Sequence, residues 1–231
     1  MSIRLLDCTL RDGGYINDWK FGYRTAKSII QKLVDSNADY VEVGFLRNCS
    51  YDKNATLFNN IAELKKILPR EQKNTKFTVM ALHNKYDITK LEPNDGTVEA
   101  VRVTFHDYDI DEGLEFVKKV MEKGYKCFCN PINIMGYSDQ EILNLIQKIN
   151  QIKPYAFSIV DTFGSMIKSD LLRIYSLLEH NLDKSIVIGL HLNENLSLSY
   201  SLAQEFIGMR NVNRDCVIVG SLMGMGRVPG H

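Results

Sequence analysis

Residues 5–15 are Leu-Leu-Asp-Cys-Thr-Leu-Arg-Asp-Gly-Gly-Tyr, an apolar strand that ends on Arg11 and Asp12 and then turns through two glycines. A cation beside a carboxylate at the open end of a buried strand can hold a metal ion and an enolate oxygen close together. In parallel barrels, such strand ends converge on one face, where the chemistry takes place. The stretch therefore predicts a buried strand that carries a polar site.

Further strands are predicted along the rest of the chain, in alternation with helical segments. Eight strands are predicted, at 3–9, 40–46, 77–82, 100–105, 125–132, 156–162, 186–193 and 216–223. Most segments between them carry apolar residues at helical spacing, as in Ala26, Ile29, Ile30 and Leu33. Eight alternations within 231 residues favour a closed α/β barrel, the (β/α)8 or TIM barrel, over an open doubly wound sheet.

Two places weaken the repeat. Segment 83–99 contains Pro93, Asn94, Asp95 and Gly96 and is expected to be a loop with at most a short helix. The chain also ends at His231, a few residues after the last predicted strand, with no sequence for a final helix. We expect residues 1–231 to be one barrel domain truncated at its carboxyl end, the alternative being that another chain or segment covers that face.

Composition narrows the class of partner. Lys plus Arg and Asp plus Glu number 28 each, so no net field favours nucleic acid or an anionic membrane, and a small-molecule partner is expected. The five cysteines form no C-x-x-C pair and are interpreted as buried thiols in a reducing compartment. With no signal peptide and no apolar stretch near the roughly 20 residues that a membrane helix requires, the protein is predicted to be cytoplasmic.

Polar side chains recur at the carboxyl ends of the predicted strands. They are Arg11 and Asp12 after strand one, His106 after strand four, Asn130 and Asn133 at strand five, Asp161 and Thr162 at strand six, and His191 and Asn193 at strand seven. The segment 221–231 follows strand eight. We expect these groups to meet around one pocket.

A metal site is predicted within this set. His191 and Asn193 are two residues apart on a strand, so both side chains point to the same face. With the Asp12 carboxylate they offer nitrogen and oxygen ligands, without sulfur, for a divalent metal ion, with Mn²⁺ and Mg²⁺ as the first candidates and Zn²⁺ or Fe²⁺ as alternatives. Glu42 points inward on strand two, where Arg11 is its natural partner. The alternatives are an ordinary core histidine, a turn-forming Asp12 and a purely structural Arg11–Glu42 pair.

Several ordered motifs resemble the DRE-TIM metallolyases, which include hydroxymethylglutaryl-CoA lyase, isopropylmalate and homocitrate synthases and 4-hydroxy-2-oxovalerate aldolase. The motifs are Thr-Leu-Arg-Asp-Gly (9–13), Val-Glu-Val-Gly-Phe (41–45), Val-Asp-Thr-Phe-Gly-Ser-Met (160–166), Gly-Leu-His-Leu-Asn-Glu-Asn-Leu-Ser-Leu (189–198) and Gly-Met-Gly-Arg-Val-Pro-Gly-His (224–231). The first motif looks most like the aldolase branch. The resemblance implies a barrel enzyme with a divalent metal ion.

The resemblance also implies roles for single residues: Asp12 binds the metal, Arg11 stabilises the oxygen of a pyruvate-like enolate, and Glu42 orients Arg11. The chain departs from the family at two ligands. The family pattern His-x-His is here His191-Leu-Asn193, and the family Gly-Asn at the end of the last loop is here Gly230-His231. Either His231 folds back and restores a permuted ligand set, or the metal has lost a strong ligand.

The remaining expectations concern the substrate. Tyr15 stands where the aldolase has an acid/base histidine, and a phenol can donate or relay a proton. His106 is a weaker substitute. Thr162 and Asn130, with Arg11, are expected to bind the substrate, a 2-oxo acid that reacts with an aldehyde in carbon–carbon bond cleavage or formation. The alternatives are a Claisen-type acyl-CoA condensing synthase and a barrel that binds ligand without turnover. A homo-oligomer is also expected.

Overall fold

A computed structural model describes residues 2–71, 73–227 and 230–231 as a closed barrel of eight parallel strands. The barrel strands are β1 (Ile3–Asp7), β2 (Tyr40–Leu46), β3 (Lys76–Leu82), β4 (Ala100–Phe105), β5 (Lys126–Pro131), β6 (Ala156–Asp161), β7 (Val187–Leu192) and β8 (Cys216–Gly220). Strand β1 pairs with both β2 and β8, which closes the barrel. The predicted (β/α)8 fold is confirmed.

Helices connect most of the strands. The α-helical segments are Thr9–Asp12, Gly14–Asn17, Tyr23–Asp35, Ile61–Leu64, Ile110–Glu122, Asp139–Ile152, Lys168–Asn181 and Ser199–Met209. Single 3-10 turns occupy Lys65–Ile67, Ile88–Lys90, Asp107–Asp109, Ile134–Gly136 and Leu222–Gly224. Among the described residues, no helix combines the length and apolarity needed to cross a lipid bilayer.

Local sequence signals account for several helix ends. Ser138 caps the helix Asp139–Ile152, because its side chain accepts a hydrogen bond from the Glu141 backbone and the Glu141 carboxylate accepts one from the Ser138 backbone. Gly124 follows the helix Ile110–Glu122 with a φ of +87°, a left-handed conformation that glycine adopts without steric cost. Both helix ends are therefore encoded by local sequence signals.

Two apolar layers hold the barrel together. Inside it, the strands contribute Leu6, Cys8, Tyr40, Ala100, Phe128, Ala156, Val187, Val217 and Val219. A larger layer lies between the strands and the surrounding helices. Because successive strand residues point to opposite faces, the inner positions near the carboxyl ends are the ones that open into the site. On the outer face of β1, the Leu5 side chain is 60% exposed.

Some predicted boundaries were wrong. Strand β1 ends at Asp7, so Arg11 and Asp12 lie on a helical turn and not on the strand itself. The Asp7 carboxylate accepts hydrogen bonds from the Thr9 backbone, at 3.0 Å, and from the Thr9 hydroxyl, at 2.9 Å, which turns the chain out of the sheet. Likewise β8 ends at Gly220, before the predicted limit at 223.

The connections hold one element that was not predicted. Residues Leu57–Phe58 form a two-residue strand that pairs with the end of β2. The third crossover contains only the short 3-10 turn Ile88–Lys90, as predicted from its Pro, Asn, Asp and Gly residues. In the described part of the chain after β8, the only helical element is the turn Leu222–Gly224.

Candidate active site

Four buried side chains meet at the carboxyl end of the barrel. One ligand atom from each of Cys8, Asp12, His191 and His231 lies within 4.8 Å of all the others, a group that could hold a metal ion. His191 Nε2 is 3.4 Å from Asp12 Oδ2, and Cys8 Sγ is 3.7 Å from His231 Nε2. His231 Nε2 also contacts Asp12 Oδ2. Three predicted ligands therefore converge with one that was not predicted.

Cys8 was interpreted as an ordinary buried thiol, and the site was expected to lack sulfur. In the structure Cys8 is a buried free thiol that also lies in the possible metal site, because it precedes a helical turn in which the Asp12 backbone donates to the Cys8 carbonyl at 2.7 Å. Residues four apart in such a turn lie on the same side. The spacing of Cys8 and Asp12 would have indicated their proximity if residues 9–12 had been predicted as helical.

The last loop returns His231 to the barrel. The Glu194 backbone donates to Gly230 O at 2.7 Å, and the His231 backbone donates to Gly224 O at 3.1 Å. Gly230 has a φ of +112°, and a Cβ atom there would lie 1.9 Å from Gly224 O, so only glycine fits. Val228 and Pro229 of the glycine-rich loop motif lie outside the described residues.

Asn193 has a different environment from His191. Its Nδ2 donates to the backbone oxygens of Asp161, at 2.9 Å, and Thr162, at 3.3 Å. Its Oδ1 is buried and accepts no hydrogen bond from any described residue. A buried oxygen without a partner is costly unless a ligand or ion satisfies it. The Asn193 oxygen is thus available to a bound ion or ligand. The NH2 group of the same amide is held by the two backbone oxygens.

Burial and neighbouring charges shift the pKa values of Asp12, His191 and His231 in the cluster. Burial raises the pKa of Asp12, but the Arg11 charge and the histidine contacts together hold it well below its usual value. Burial, and then the neighbouring His231, lower the pKa of His191 well below normal. For His231, burial lowers the pKa, while Cys8 and Asp12 raise it to about 10. Asp12 and His191 are thus in the forms that bind metals, an ionised carboxylate and a neutral imidazole, whereas His231 would have to release a proton to act as a ligand.

A second network lies beside the cluster. Arg11 Nε donates to Glu42 Oε2 at 2.7 Å, and Arg11 NH1 is 3.1 Å from Asp12 Oδ1. The predicted contact between Arg11 and Glu42 is therefore present. The remaining nitrogen, Arg11 NH2, is buried without a hydrogen-bond partner among the described residues. Two of the three guanidinium nitrogens are thus fixed by carboxylates, and the third is available to a ligand.

Arg102 was not predicted as part of the site. It is fully buried on β4, where its NH1 donates to Glu42 Oε2 at 2.9 Å and its NH2 to Asn130 Oδ1 at 3.2 Å. The signal was an arginine in the apolar strand Ala-Val-Arg-Val-Thr-Phe, in phase with the inward-facing Ala100. A buried arginine requires a carboxylate partner, which Glu42 supplies.

These groups line a pocket of about 160 Å³. Its walls are formed by Arg11, Asp12, Tyr15, Phe45, Arg47, Met80, Leu82, Arg102, Thr104, His106, Asn130, Ile132, Val160, Thr162, His191, Asn193 and Arg227. Most of the predicted site residues therefore border the same space. Glu42 lies behind this wall, against Arg11 and Arg102.

Three predicted substrate residues occupy distinct positions. Thr162 Oγ1 accepts a hydrogen bond from the Asn133 backbone at 2.7 Å, which leaves its O–H free to donate. Tyr15 is 42% exposed, and its ring packs edge-on against Trp19. The Asn130 amide is engaged by Arg102 and by two backbone oxygens, of Val103 and Phe128. Asn130 lines the pocket with its amide already held by internal hydrogen bonds, and its contact with substrate stays a prediction.

His106 lies across the pocket. Its backbone donates to the Asp109 carboxylate at 2.5 Å, its Nδ1 is 3.5 Å from the same carboxylate, and its ring stacks on Tyr108. The side chain lines the pocket but is not part of the Cys8, Asp12, His191 and His231 cluster.

Solved structures share this fold at low sequence identity. The N-terminal domain of a proposed aldolase from Bacteroides vulgatus is 23% identical with a TM-score of 0.77, and the match covers 98% of this chain and 75% of that one. The HMG-CoA lyase of Bacillus subtilis is 14% identical with a TM-score of 0.73, over 99% of this chain and 78% of that one.

A third structure is the carboxyl transferase domain of Rhizobium etli pyruvate carboxylase with 3-bromopyruvate. It is 14% identical with a TM-score of 0.73, and the match covers 97% of this chain and 40% of that one. The HMGL-like family model matches residues 2–231, which is nearly the whole chain. This match agrees with the motifs, the barrel and the possible metal site. The chain therefore belongs to the HMGL-like family of the DRE-TIM metallolyase superfamily, whose members are lyase and aldolase barrels.

Proposed function

We propose that this protein forms or cleaves a carbon–carbon bond through the enolate of a pyruvate-like 2-oxo acid, with a divalent metal ion in the site. The observation that carries the proposal is the position of Arg11. It lies between the Glu42 and Asp12 carboxylates, next to the His191 and His231 cluster. An aldehyde is the proposed second substrate, by analogy with the aldolase branch of the superfamily.

Asp12, His191 and His231 would hold the metal ion, with Cys8 or Asn193 as a further ligand. When bound there, a divalent ion would act as a Lewis acid on the substrate carbonyl. Nitrogen, oxygen and sulfur donors together favour Zn²⁺, Fe²⁺ or Mn²⁺ over Mg²⁺, which prefers an all-oxygen set. The sequence motifs alone had made Mn²⁺ and Mg²⁺ the first candidates.

Arg11 would stabilise the enolate oxygen. Because its Nε and NH1 are held by carboxylates, the buried NH2 is oriented before the substrate binds. One donor that is aimed in advance at a developing negative charge contributes about 3 kcal/mol to the transition state. Glu42 acts through Arg11 as a positioning residue, and Arg102 fixes Glu42 from the other side.

Thr162 would donate its hydroxyl hydrogen to the substrate carboxylate, because its oxygen already accepts from the Asn133 backbone. Tyr15, at the mouth of the pocket, would donate or relay a proton to the aldehyde side of the reaction. Asn130 would act indirectly, by holding Arg102. These assignments leave His106 without a required role. The cytoplasmic location stays a prediction.

Exchange of the pyruvate methyl protons with deuterated solvent, measured by NMR, tests the proposal. The metal-loaded protein is expected to catalyse exchange, and Arg11→Met is expected to lower the rate at least about a hundredfold. The control variant is Arg24→Met, which removes an exposed arginine outside the pocket.

Metal content and thermal unfolding, measured for both variants, show whether a substitution has disrupted the fold. Exchange that persists at the wild-type rate in Arg11→Met would remove Arg11 from the mechanism. Pyruvate binding without any exchange in the wild-type protein would instead indicate a barrel that binds ligand without turnover.

A further inference from the structure

Arginines are concentrated in the pocket beyond what the proposed reaction uses. Arg11, Arg47, Arg102 and Arg227 line it, whereas Asp12 is the one carboxylate among its described lining residues. Arg11 and Arg102 share the Glu42 carboxylate, and Arg11 also contacts Asp12. Within residues 2–71, 73–227 and 230–231, neither Arg47 nor Arg227 forms an ion pair. Two cations in the pocket therefore remain without a counter-charge.

Arg47 is held in place by aromatic rings. Its guanidinium carbon lies 4.9 Å from the centre of the Phe45 ring and 5.5 Å from that of Trp19. Its Nε is buried and has no hydrogen-bond partner among the described residues. Aromatic faces position a guanidinium without satisfying its N–H groups, and an unsatisfied buried donor is costly. The group is thus fixed in the pocket while its hydrogen-bonding capacity remains unused.

The position of Arg47 relative to Arg11 is set by one shared ring. The Arg11 guanidinium carbon is 5.9 Å from the centre of the same Phe45 ring. Arg47 and Arg11 therefore contact the same ring. Because Arg11 and the metal site would engage the charges of the 2-oxo acid, Arg47 is left for a charge on a second substrate.

Arg227 faces the same wall of the pocket. Its guanidinium carbon lies 5.6 Å from the centre of the Tyr15 ring, and Tyr15 packs against Trp19 with ring centres 4.9 Å apart. Trp19 in turn contacts Arg47. Arg47 and Arg227 thus each contact one ring of the Tyr15–Trp19 pair. Planar guanidinium groups bind carboxylate and phosphate oxygens through paired hydrogen bonds.

We propose that Arg47 and Arg227 form a second anion subsite, which binds a carboxylate or phosphate group on the acceptor substrate. The acceptor is then an aldehyde or oxo compound with a negative charge at the end remote from the reacting carbon. The role of the bound molecule as the acceptor substrate rests on the proposed function. The anion subsite itself rests only on the two unpaired arginines and the rings that hold them.

Calorimetry on the manganese-loaded protein saturated with oxalate tests the subsite. Oxalate occupies the proposed 2-oxo acid position, and inorganic phosphate or succinate is then titrated in separate runs. We expect one further anion to bind per chain. Arg47→Met should weaken that binding about tenfold or more, the loss expected for a charge-assisted hydrogen bond. The oxalate affinity should change less than about twofold.

Arg227→Met is the second variant, because this side chain is exposed and its removal spares the packed rings. Arg24→Met is the matched control and should leave anion binding unchanged. Tighter binding of phosphate than of succinate indicates a phosphorylated acceptor. Tighter binding of succinate indicates an acceptor with a carboxylate at its remote end. The proposal is overturned if neither anion binds, or if anion binding is the same in wild type, Arg47→Met and Arg227→Met.

The same titrations separate this inference from the proposed function. If oxalate fails to bind but phosphate or succinate binds in a manner that depends on Arg47, the subsite stands and the enolate chemistry fails. If oxalate binds and supports exchange but the second anion does not bind, the enolate chemistry stands and the subsite fails.

Discussion

The imidazole rings of His191 and His231 lie 4.4 Å apart between centroids and at 74° to each other, with both Nε2 atoms directed at the Asp12 carboxylate. His191 comes from β7, and His231 comes from the loop after β8. Relative to the resembled family, one histidine became Asn193 and one asparagine became His231. The folded chain thus places two imidazoles beside the aspartate in spite of the exchange.

The first prediction concerns His231. His231→Ala should weaken manganese or zinc binding at least about a hundredfold, because it removes a nitrogen ligand. Asn193→Ala should weaken it less, since Asn193 is also held by backbone oxygens. Calorimetric titration of both variants with the metal measures the difference. Tight binding retained in His231→Ala would eliminate the permuted ligand set.

The second prediction concerns Cys8. Cobalt bound to the wild-type protein should show a thiolate-to-metal charge-transfer band in the near ultraviolet, and Cys8→Ser should lack it. The serine variant should also lose affinity for Zn²⁺ more than for Mn²⁺, because sulfur favours the softer ion. Cys216→Ser is the control, since Cys216 is buried outside the cluster. A band that survives in Cys8→Ser would show that the sulfur is not a ligand.

The third prediction concerns Arg102. Arg102→Met should lower the free energy of unfolding by about 3 kcal/mol, because it removes one of two cations from a fully buried Glu42. Arg173→Met removes a partly exposed arginine that pairs with the exposed Asp139 at 2.6 Å and should cost less than about 1 kcal/mol. Urea unfolding measures both. Equal losses in the two variants would contradict the role of burial.

The fourth prediction concerns Gly44, which lies two residues after Glu42 at the irregularity between β2 and β3. Its φ is +143°, and a Cβ atom there would lie 2.0 Å from Thr56 O. Gly44→Ala should therefore destabilise the fold by at least about 3 kcal/mol. Gly208→Ala, in a helix with open space around it, should be neutral or stabilise by up to about 1 kcal/mol. A melting temperature that is unchanged in Gly44→Ala would refute the steric argument.

The fifth prediction concerns pH. Hydrogen bonds from Lys65 and Thr97 lower the pKa of Asp95 from 3.8 to about 2. A lowered pKa means that the stabilisation is complete above about pH 4 and is lost as the pH falls toward 2. Because the pair is exposed, Lys65→Met should cost less than about 1 kcal/mol at pH 7 and almost nothing at pH 2. An undiminished difference at pH 2 in denaturant unfolding would contradict the assignment.

Local periodicity was sufficient for the barrel and for the strand ends that carry polar groups. The bounds of β2 and β4 agree with the prediction because β-branched and aromatic residues recur along each run, on both sides of the inward-facing Glu42 and Arg102. Strand β1 was predicted too long because hydrogen bonds from Thr9 to the Asp7 carboxylate turn the chain, and an apolar pattern does not reveal such bonds. The strand Leu57–Phe58 was missed because two residues are too few to show the alternation that indicates a strand.

The sequence by itself determined the eight-strand barrel, the Arg11–Glu42 pairing and the position of Asp12 and His191 at one face, because each follows from alternation within a strand or from the charge balance of a buried pair. Only the tertiary structure decided that Cys8 joins the cluster, that Arg102 shares Glu42 and that His231 reaches Asp12. Those contacts join residues 223, 60 and 219 positions apart, and the packing inside the barrel and the path of its last loop, which no local pattern encodes, bring them together.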